Sequence, residues 1–193
     1  MKGVTKSKAT YEGRLFKSNQ DGEFKVIEYI NATKVVIEFI STKNRCTSRI
    51  GNILSGKVKD KMKPSVYGVG IVGEQISFGG ERCKQRDIWI RMLDRCYSSK
   101  DGSKYHTYVG CTVSENFKYF PYFKEWCYNQ IGFDQEGFAL DKDILFKGNK
   151  VYSEETCCFV PQALNNLFTN KKSNSKEYPI GVSKAKSGKF ISA

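Results

Sequence analysis

The sequence predicts an α+β protein, with a small β-rich domain first and a mixed strand-and-helix domain after it. Three patterns lead to this prediction. Two runs of β-branched and aromatic residues flank a turn between positions 23 and 40. Apolar residues recur at helical spacing from position 86 onward. Positions 138–168 fit the order strand, turn, strand, helix.

Composition divides the chain into five parts. We expect residues 1–20 to form a flexible leader, 21–64 a basic β-rich domain, and 65–80 a glycine-rich linker that adds a strand to the next unit. Residues 81–170 form the second domain, and 171–193 a basic tail.

The first domain is predicted from a hairpin. Its turn lies at Asn31-Ala32-Thr33, and in the second strand Val35, Ile37 and Phe39 alternate with Val36, Glu38 and Ile40. A basic segment with a single acidic residue, Asp60, follows the hairpin, and its cations are Lys43, Arg45, Arg49, Lys57, Lys59, Lys61 and Lys63. The alternative interpretation is a solvated sheet edge whose lysines discourage strand pairing.

Charge is concentrated at the two ends of the chain. Residues 1–63 hold 14 Lys/Arg against 6 Asp/Glu, a net of +8, whereas residues 64–169 hold 12 against 13 and residues 170–193 hold 6 against 1. Each phosphate neutralised by a lysine or arginine releases counterions, so a basic region favours a polyanion. We therefore predict double-stranded DNA as the partner of residues 21–64, with solubility alone as the competing explanation.

Neither membrane insertion nor a disulfide framework is predicted. No apolar run is long enough to cross a bilayer, and the basic N-terminus lacks the apolar core of a secretory signal. Seven cysteines without paired spacing indicate reduced thiols in a cytoplasm, with a zinc site as the less favoured alternative.

Two helices are predicted in the second domain. Residues 86–98 place Ile88, Trp89, Met92 and Leu93 on one face. Residues 114–132 begin at a capping Ser114 and carry aromatic residues at helical spacing, which we interpret as core. Strands are then expected at 139–145 and 156–160, with Pro161 opening a final helix at its first turn.

Several motifs follow one another in the second half of the chain. They are Trp89-x-x-Met92-x-x-Arg95-Cys96-Tyr97, Tyr108-x-Gly110-Cys111-x-Val113, Phe120-x-x-Phe123-x-x-Trp126, Leu140-Asp141-Lys142-Asp143-Ile144-Leu145, Gly148-Asn149-Lys150-x-Tyr152-Ser153 and Phe159-Val160-Pro161. In this order they resemble the HNH homing endonucleases of tailed phages, over roughly residues 80–190. The resemblance implies a ββα-metal fold. It also implies that Asp141 is a metal carboxylate and Asn165 a metal ligand from the helix, holding Mg²⁺ or Mn²⁺ if the protein cuts DNA.

Two positions depart from the pattern that the resemblance implies. Lys142 stands where the family has its base histidine, and Thr156 stands where the family has an organising asparagine. A lysine between Asp141 and Asp143 is a poor base, so Lys142 belongs to a remnant catalytic site. His106, the single histidine, lies in a loop-like segment and is interpreted as a surface residue.

The C-terminal segment resembles the start of an AP2-type DNA-binding module. Its basic residues Lys171, Lys172 and Lys184 are predicted to contact DNA. The segment could instead be a frayed remnant, because one hairpin alone is marginal in water.

Together these features predict a sequence-specific DNA-binding protein derived from an HNH homing endonuclease. We expect a catalytically degenerate transcriptional repressor of a phage or mobile element, located in the bacterial cytoplasm, with no cofactor needed for binding and a possible homodimer. The alternative is an active metal-dependent HNH nicking endonuclease, and a third hypothesis gives the ββα unit a packing role alone.

Overall fold

The computed structural model describes residues 10–74, 83–98, 106–169, 182–185 and 187–192. These residues form a mixed α+β structure, as predicted, with two separate hydrophobic cores. One core belongs to an N-terminal sheet, and the other gathers the helices and short strands that follow. None of the helices in this part of the chain is both long and apolar enough to cross a membrane.

The N-terminal unit is a four-stranded antiparallel meander. Its strands are β1 (Leu15–Ser18), β2 (Gly22–Asn31), β3 (Lys34–Phe39) and β4 (Arg45–Ser48), paired in that order. The predicted hairpin joins β2 to β3, where Asn31 Oδ1 accepts hydrogen bonds from the backbone N–H groups of Thr33 and Lys34, each at 2.9 Å. This side chain satisfies the turn donors, as asparagine commonly does.

Alternation along the strands places one face of the sheet in the first core. Phe24, Val26, Ile37 and Phe39 are fully buried there, while residues between them are partly or fully exposed. Burying each such side chain stabilises the fold by about 1.5–3 kcal/mol. A short helix, α1 (Ile50–Leu54), completes this core through Ile53.

The sheet begins earlier than the predicted domain boundary at residue 21. Residues Leu15–Ser18, in the segment expected to be a flexible leader, pair with β2, and the rings of Phe16 and Phe24 stack with centroids 6.1 Å apart. The Ser18 hydroxyl also donates to the Val58 carbonyl at 2.6 Å, which ties β1 to the chain after α1.

Residues 65–74, the first part of the predicted linker, pack against the second core. Val66 and Val69 contact that core, and Ile71 forms a parallel bridge with Tyr119. A Cβ on Gly70 would lie 2.5 Å from the Leu93 Cδ1 atom. Glycine at this position therefore allows a close backbone approach that another residue would prevent.

The second unit starts with α2 (Lys84–Tyr97), followed by a 3₁₀ turn (His106–Tyr108) and β5 (Thr112–Val113). The second predicted helix is two helices, α3 (Glu115–Lys118) and α4 (Phe120–Tyr128), because Tyr119 is extended between them. Pro121 lies in the first turn of α4, where its missing N–H costs nothing. Ser114 caps α3 as expected, accepting a bond from the Phe117 N–H at 3.2 Å.

The remaining elements form a ββα arrangement and a separate hairpin. Strand β6 (Phe138–Asp141) pairs antiparallel with β8 (Cys158–Pro161), β7 (Val151–Tyr152) pairs parallel with β5, and α5 (Gln162–Thr169) follows β8 directly. Pro161, expected inside the helix, is instead the last strand residue and is paired with Phe138. Strands β9 (Val182–Lys184) and β10 (Phe190–Ser192) pair with each other.

Candidate functional site

A cleft forms where β6 ends beside α5. Asp141, the last residue of β6, and Asn165 on α5 both line two adjoining cavities of about 420 Å³ and 230 Å³. The structure therefore brings together the two residues that the resemblance assigned to a metal. The three residues Asp141, Lys142 and Asp143 border both cavities.

The Asp141 carboxylate shapes the end of its own strand. Its Oδ1 atom accepts hydrogen bonds from the backbone N–H groups of Asp143 and Ile144, both at 2.7 Å. Because these N–H groups turn toward the carboxylate, the strand stops at Asp141 instead of continuing to residue 145. Within the described chain these bonds use Oδ1 alone, so Oδ2 is the atom through which Asp141 would meet a ligand.

Lys142 is buried at the base of this cleft, with 5% of its surface exposed. Its Nζ donates to Asp143 Oδ2 at 2.6 Å and to the Asn149 carbonyl at 2.7 Å. Nζ also lies 5.9 Å from the ring centroids of Tyr108 and Tyr152. These hydrogen bonds commit the Lys142 side-chain nitrogen to acceptors within its own loop, where it serves as a donor.

Asn149 holds the loop between β6 and β7. Its Nδ2 donates to the Lys142 carbonyl at 2.9 Å and to the Val151 carbonyl at 2.6 Å, and its Oδ1 accepts from the Val151 N–H at 3.1 Å. Thr156 lies at the far end, where its hydroxyl donates to the Val151 carbonyl at 2.7 Å. Asn149 thus organises the loop, a role that the resemblance placed at position 156. The dipeptide Gly148-Asn149, which is typical of turns, was the sequence feature that could have indicated this role.

The residues of the cleft fit a divalent ion only as a minimal site. Asp141 and Asn165 offer one carboxylate and one amide, the kind of sparse oxygen set that Mg²⁺ accepts when phosphate and water complete its shell. Asp143 is already paired with the Lys142 ammonium. Within the described ranges no group of three or more His, Cys, Asp or Glu side chains is placed to hold a metal ion.

Three of the seven cysteines, Cys111, Cys127 and Cys157, are buried, and the other four are partly buried. Burial raises the pKa of Cys96, Cys127 and Cys157 to about 12 in each case.

Basic residues that sequence reasoning did not single out surround the cleft. Lys147 and Lys150 line the larger cavity, and Arg95 lines the smaller one. Arg91 and Arg95, one helical turn apart on α2, also line a neighbouring groove of about 470 Å³ that shares Leu140 and Gln162 with the smaller cavity. The four-residue spacing of Arg91 and Arg95 could have indicated this pair, because residues four apart on a helix share a face.

His106 is exposed at the start of the 3₁₀ turn, consistent with a surface residue. Its neighbour Thr107 lines the larger cavity, and the Thr107 and Val109 carbonyls accept bonds from Lys150 Nζ at 3.4 and 3.3 Å. The turn is therefore held against the cleft by Lys150.

A second basic surface follows α1 in the N-terminal unit. Lys57, Lys59 and Lys61 are exposed, while the alternating Val58 and Asp60 are buried. Although residues 57–61 belong to no strand, exposed and buried positions alternate along them, so the three ammonium groups lie on the solvent side of the segment. We call Lys57, Lys59 and Lys61 the lysine strip.

Asp60 anchors the lysine strip, a role that its sequence position does not reveal. Its carboxylate accepts bonds from Thr42 Oγ1 at 2.5 Å, Asn44 Nδ2 at 2.9 Å and the Met62 N–H at 3.0 Å. Its own N–H donates to Asp21 Oδ2 at 2.9 Å. Asp21 lies in the β1–β2 turn, and Thr42 and Asn44 lie in the β3–β4 turn. Asp60 therefore connects the lysine strip to two turns of the sheet.

The structure separates Arg45 from the lysine strip. Arg45 pairs in register with Glu38, on the sheet face opposite the core, and its Nε lies 2.6 Å from Glu38 Oε2. This arginine lowers the pKa of the Glu38 carboxyl through a hydrogen bond. Val58 belongs to the core on the other face, so Lys57 and Lys59 point away from Arg45.

The remaining predicted DNA contacts are scattered. Lys43 lies in the β3–β4 turn with a φ of 58°, and Arg49 precedes α1; both are exposed. Lys63 Nζ donates to the Gln20 carbonyl at 2.8 Å. Lys184 is exposed on β9, and Lys171 and Lys172 lie outside the described residues.

Comparison with known proteins adds no relative: no family model matches the chain, and neither do any curated proteins or solved structures. The cleft and the lysine strip therefore rest on their own geometry.

Proposed function

We propose that the protein binds double-stranded DNA as a regulator, most simply a transcriptional repressor of a phage or mobile element, without cutting it. The burial of Lys142 carries this proposal. At the position where a nuclease of the HNH type needs a neutral base, the chain holds an ammonium ion tied to Asp143 and to the Asn149 carbonyl.

The lysine strip supports the binding half of the proposal. Three exposed ammonium groups on one side of a pinned segment can replace counterions along a phosphate backbone at little entropic cost. We assign residues 15–63 to DNA contact and residues 138–169 to a nuclease-derived ββα unit of the HNH type. Bacterial cytoplasm is the compartment that fits such a regulator.

The ββα unit and the neighbouring helix α2 together contribute a second contact surface in this proposal. Arg91, Arg95, Lys147 and Lys150 border the groove and the cleft, so a phosphate backbone lying there meets cations along its path. Binding needs no cofactor, because these contacts come from side chains alone.

Active cleavage is the second candidate, and one observation favours it: Asp141 and Asn165 line the same cleft. These two residues would hold Mg²⁺ or Mn²⁺. The bound ion would supply Lewis-acid stabilisation of charge on a scissile phosphate. Lys142 would then bind phosphate as a cation, and the base would have to be a group other than Lys142.

Gel shifts and plasmid cleavage test these alternatives together. The full chain is mixed with duplex DNA in EDTA, in Mg²⁺ and in Mn²⁺, beside Asp141→Ala. The proposal expects salt-sensitive shifts in all three conditions and intact plasmid. Metal-dependent nicks that disappear in Asp141→Ala would establish the nuclease instead.

A charge-matched pair of triple variants locates the DNA-binding surface. Replacing Lys57, Lys59 and Lys61 by glutamine should lower the slope of log affinity against log salt by roughly 0.9 for each phosphate that is no longer neutralised. The control replaces Lys17, Lys25 and Lys34, which are also exposed but lie on β1, β2 and the start of β3. Equal effects of both triples would mean that net charge, and not the lysine strip, determines affinity.

A further inference from the structure

The loop between β6 and β7 exposes two large apolar side chains at its tip. Leu145 is 53% exposed and Phe146 is 56% exposed. They lie between Asp143 and Lys147, which both line the larger cavity of the cleft. Exposure of an aromatic and an aliphatic side chain to water is unfavourable, and burial against a partner would remove that cost.

This tip is presented by an ordered loop. Asp141 Oδ1 holds the N–H groups at its start, and Asn149 bridges its end to Lys142 and Val151. The Asn149 N–H donates to the Phe146 carbonyl at 3.1 Å, which closes the turn behind the tip. Little conformational freedom remains to be lost when the tip enters a partner.

Charge around the tip selects the kind of partner. Lys147 follows Phe146 directly, and Lys150 lies three residues further along the same cleft wall. Asp141 and Asp143 line the same cavity, where Asp143 is paired with Lys142 and Asp141 accepts two backbone N–H groups. An apolar partner surface would have to strip water from these ammonium groups, whereas phosphates beside a groove would neutralise them. Duplex DNA offers both features, because stacked bases lie between two phosphate chains.

We propose that Leu145 and Phe146 form a wedge that enters the minor groove and separates neighbouring base pairs while the backbone lies on the cleft. Proteins that bind in this way insert such apolar side chains between base steps, unstacking them and kinking the duplex. The proposal rests on the proposed DNA-binding function and adds a site and a mode of recognition. In this proposal the ββα unit recognises DNA sequences by how easily they are kinked.

Plasmid relaxation tests the wedge without knowledge of the target sequence. The full chain is bound to closed circular plasmid in EDTA, the plasmid is relaxed by a metal-independent topoisomerase, and the protein is then removed. A wedge that unwinds base steps leaves a change in linking number that grows with bound protein. Gel shifts on the same plasmid fragments report binding separately.

Three variants complete the test. Phe146→Ala and Leu145→Ala should abolish most of the linking-number change while keeping a salt-sensitive gel shift. Ile131→Ala, which removes an apolar side chain that is 91% exposed elsewhere, should behave like the unmodified chain. Circular dichroism checks that each variant is folded.

The failures are distinguishable. A normal gel shift without any linking-number change overturns the wedge and leaves the proposed function standing. Loss of the linking-number change in Ile131→Ala also overturns it. Absence of any gel shift removes the proposed function and the wedge together. A dimer in sedimentation that becomes a monomer on Phe146→Ala would assign the tip to a second copy of the chain and overturn the wedge.

Discussion

Lysines in the two units of the molecule occupy opposite environments. In the N-terminal unit, Lys57, Lys59 and Lys61 stand in water on one side of an extended segment. In the second unit, Lys142 is 5% exposed and donates hydrogen bonds to Asp143 and the Asn149 carbonyl. The same side chain is thus open to solvent in one unit and part of the loop architecture in the other.

The difference shows that position decides what an ammonium group can do. An exposed lysine exchanges weakly held counterions for phosphate, so its contribution depends on salt. A buried lysine has already exchanged water for protein partners, so its contribution is to stability. In the proposed function, the cleft therefore keeps a carboxylate and an amide, while the lysine at position 142 supports the loop.

The largest expected effect tests whether the two units are separate. Trp89→Ala removes a 1%-exposed side chain whose Nε1 donates to the Phe117 carbonyl at 2.7 Å. It should lower the free energy of unfolding of the second unit by about 3–5 kcal/mol. Both tryptophans lie in this unit, so Trp126 fluorescence remains as its reporter during denaturation.

The matched control is Ile37→Ala in the N-terminal core. It should weaken DNA binding while leaving the Trp126 transition in place. Coincident shifts of both readouts in both variants would show that the two cores unfold as one, and the comparison between units would then fail.

A second prediction exchanges the roles of the lysines directly. Lys142→Met leaves the Asn149 carbonyl without its ammonium donor, which should cost about 1–3 kcal/mol of unfolding free energy. The salt dependence of DNA binding should not change. Lys59→Met should do the reverse, lowering the salt slope by roughly one phosphate while stability stays within about 0.5 kcal/mol. Denaturation and salt titration of both variants decide the matter.

A third prediction distinguishes the effect of where the lysines are held from the effect of the net charge of the surface. Asp60→Ala removes a negative charge from a basic surface, so net charge alone would strengthen DNA binding. Because Asp60 anchors the lysine strip to Thr42 and Asn44, we expect weaker binding and a decrease of about 1–3 kcal/mol in stability. Tighter binding in a gel shift would refute the positional argument.

The smallest effect concerns acid. Burial acts to raise the pKa of Glu154, but hydrogen bonds from Asn116, Tyr122 and Ser114 outweigh it and lower that pKa below its ordinary value. A carboxyl whose pKa is lowered in the folded state stabilises the protein above pH 4.5. This contribution is lost as the pH falls through the pKa of the folded state.

Glu154→Gln should therefore be less stable than the unmodified chain at neutral pH, by about 1 kcal/mol or less after solvent screening. The two proteins should converge as pH falls below 4.5. Denaturation at several pH values measures this, and a difference that persists in acid would point to altered packing instead of the missing charge.

Local patterns in the sequence were enough to predict several elements. Alternation predicted the β2–β3 hairpin, and helical spacing predicted α2, because both signals depend on neighbouring residues alone. The choice of Asp141 and Asn165 came from the family resemblance and not from a local pattern, and the structure places both residues on one cleft.

Features that depend on distant partners could not be predicted. The role of Asp60 requires Thr42 and Asn44, which are 18 and 16 residues away. The burial of Lys142 contradicts the general preference of lysine for the surface and requires Asn149 and two tyrosine rings. Strand β6 ended early because Asp141 captured two backbone donors, a competition that propensity does not describe.

Alternate positions in residues 57–61 face solvent and the interior. Odd positions carry the ammonium groups and even positions carry Val58 and Asp60, so a lysine can be substituted without changing the interior. The number of residues in this segment cannot be changed in the same way. Deleting one residue between Gly56 and Asp60 would shift the remaining residues by one position relative to Asp60, so that exposed and buried positions would no longer alternate in step with this anchor.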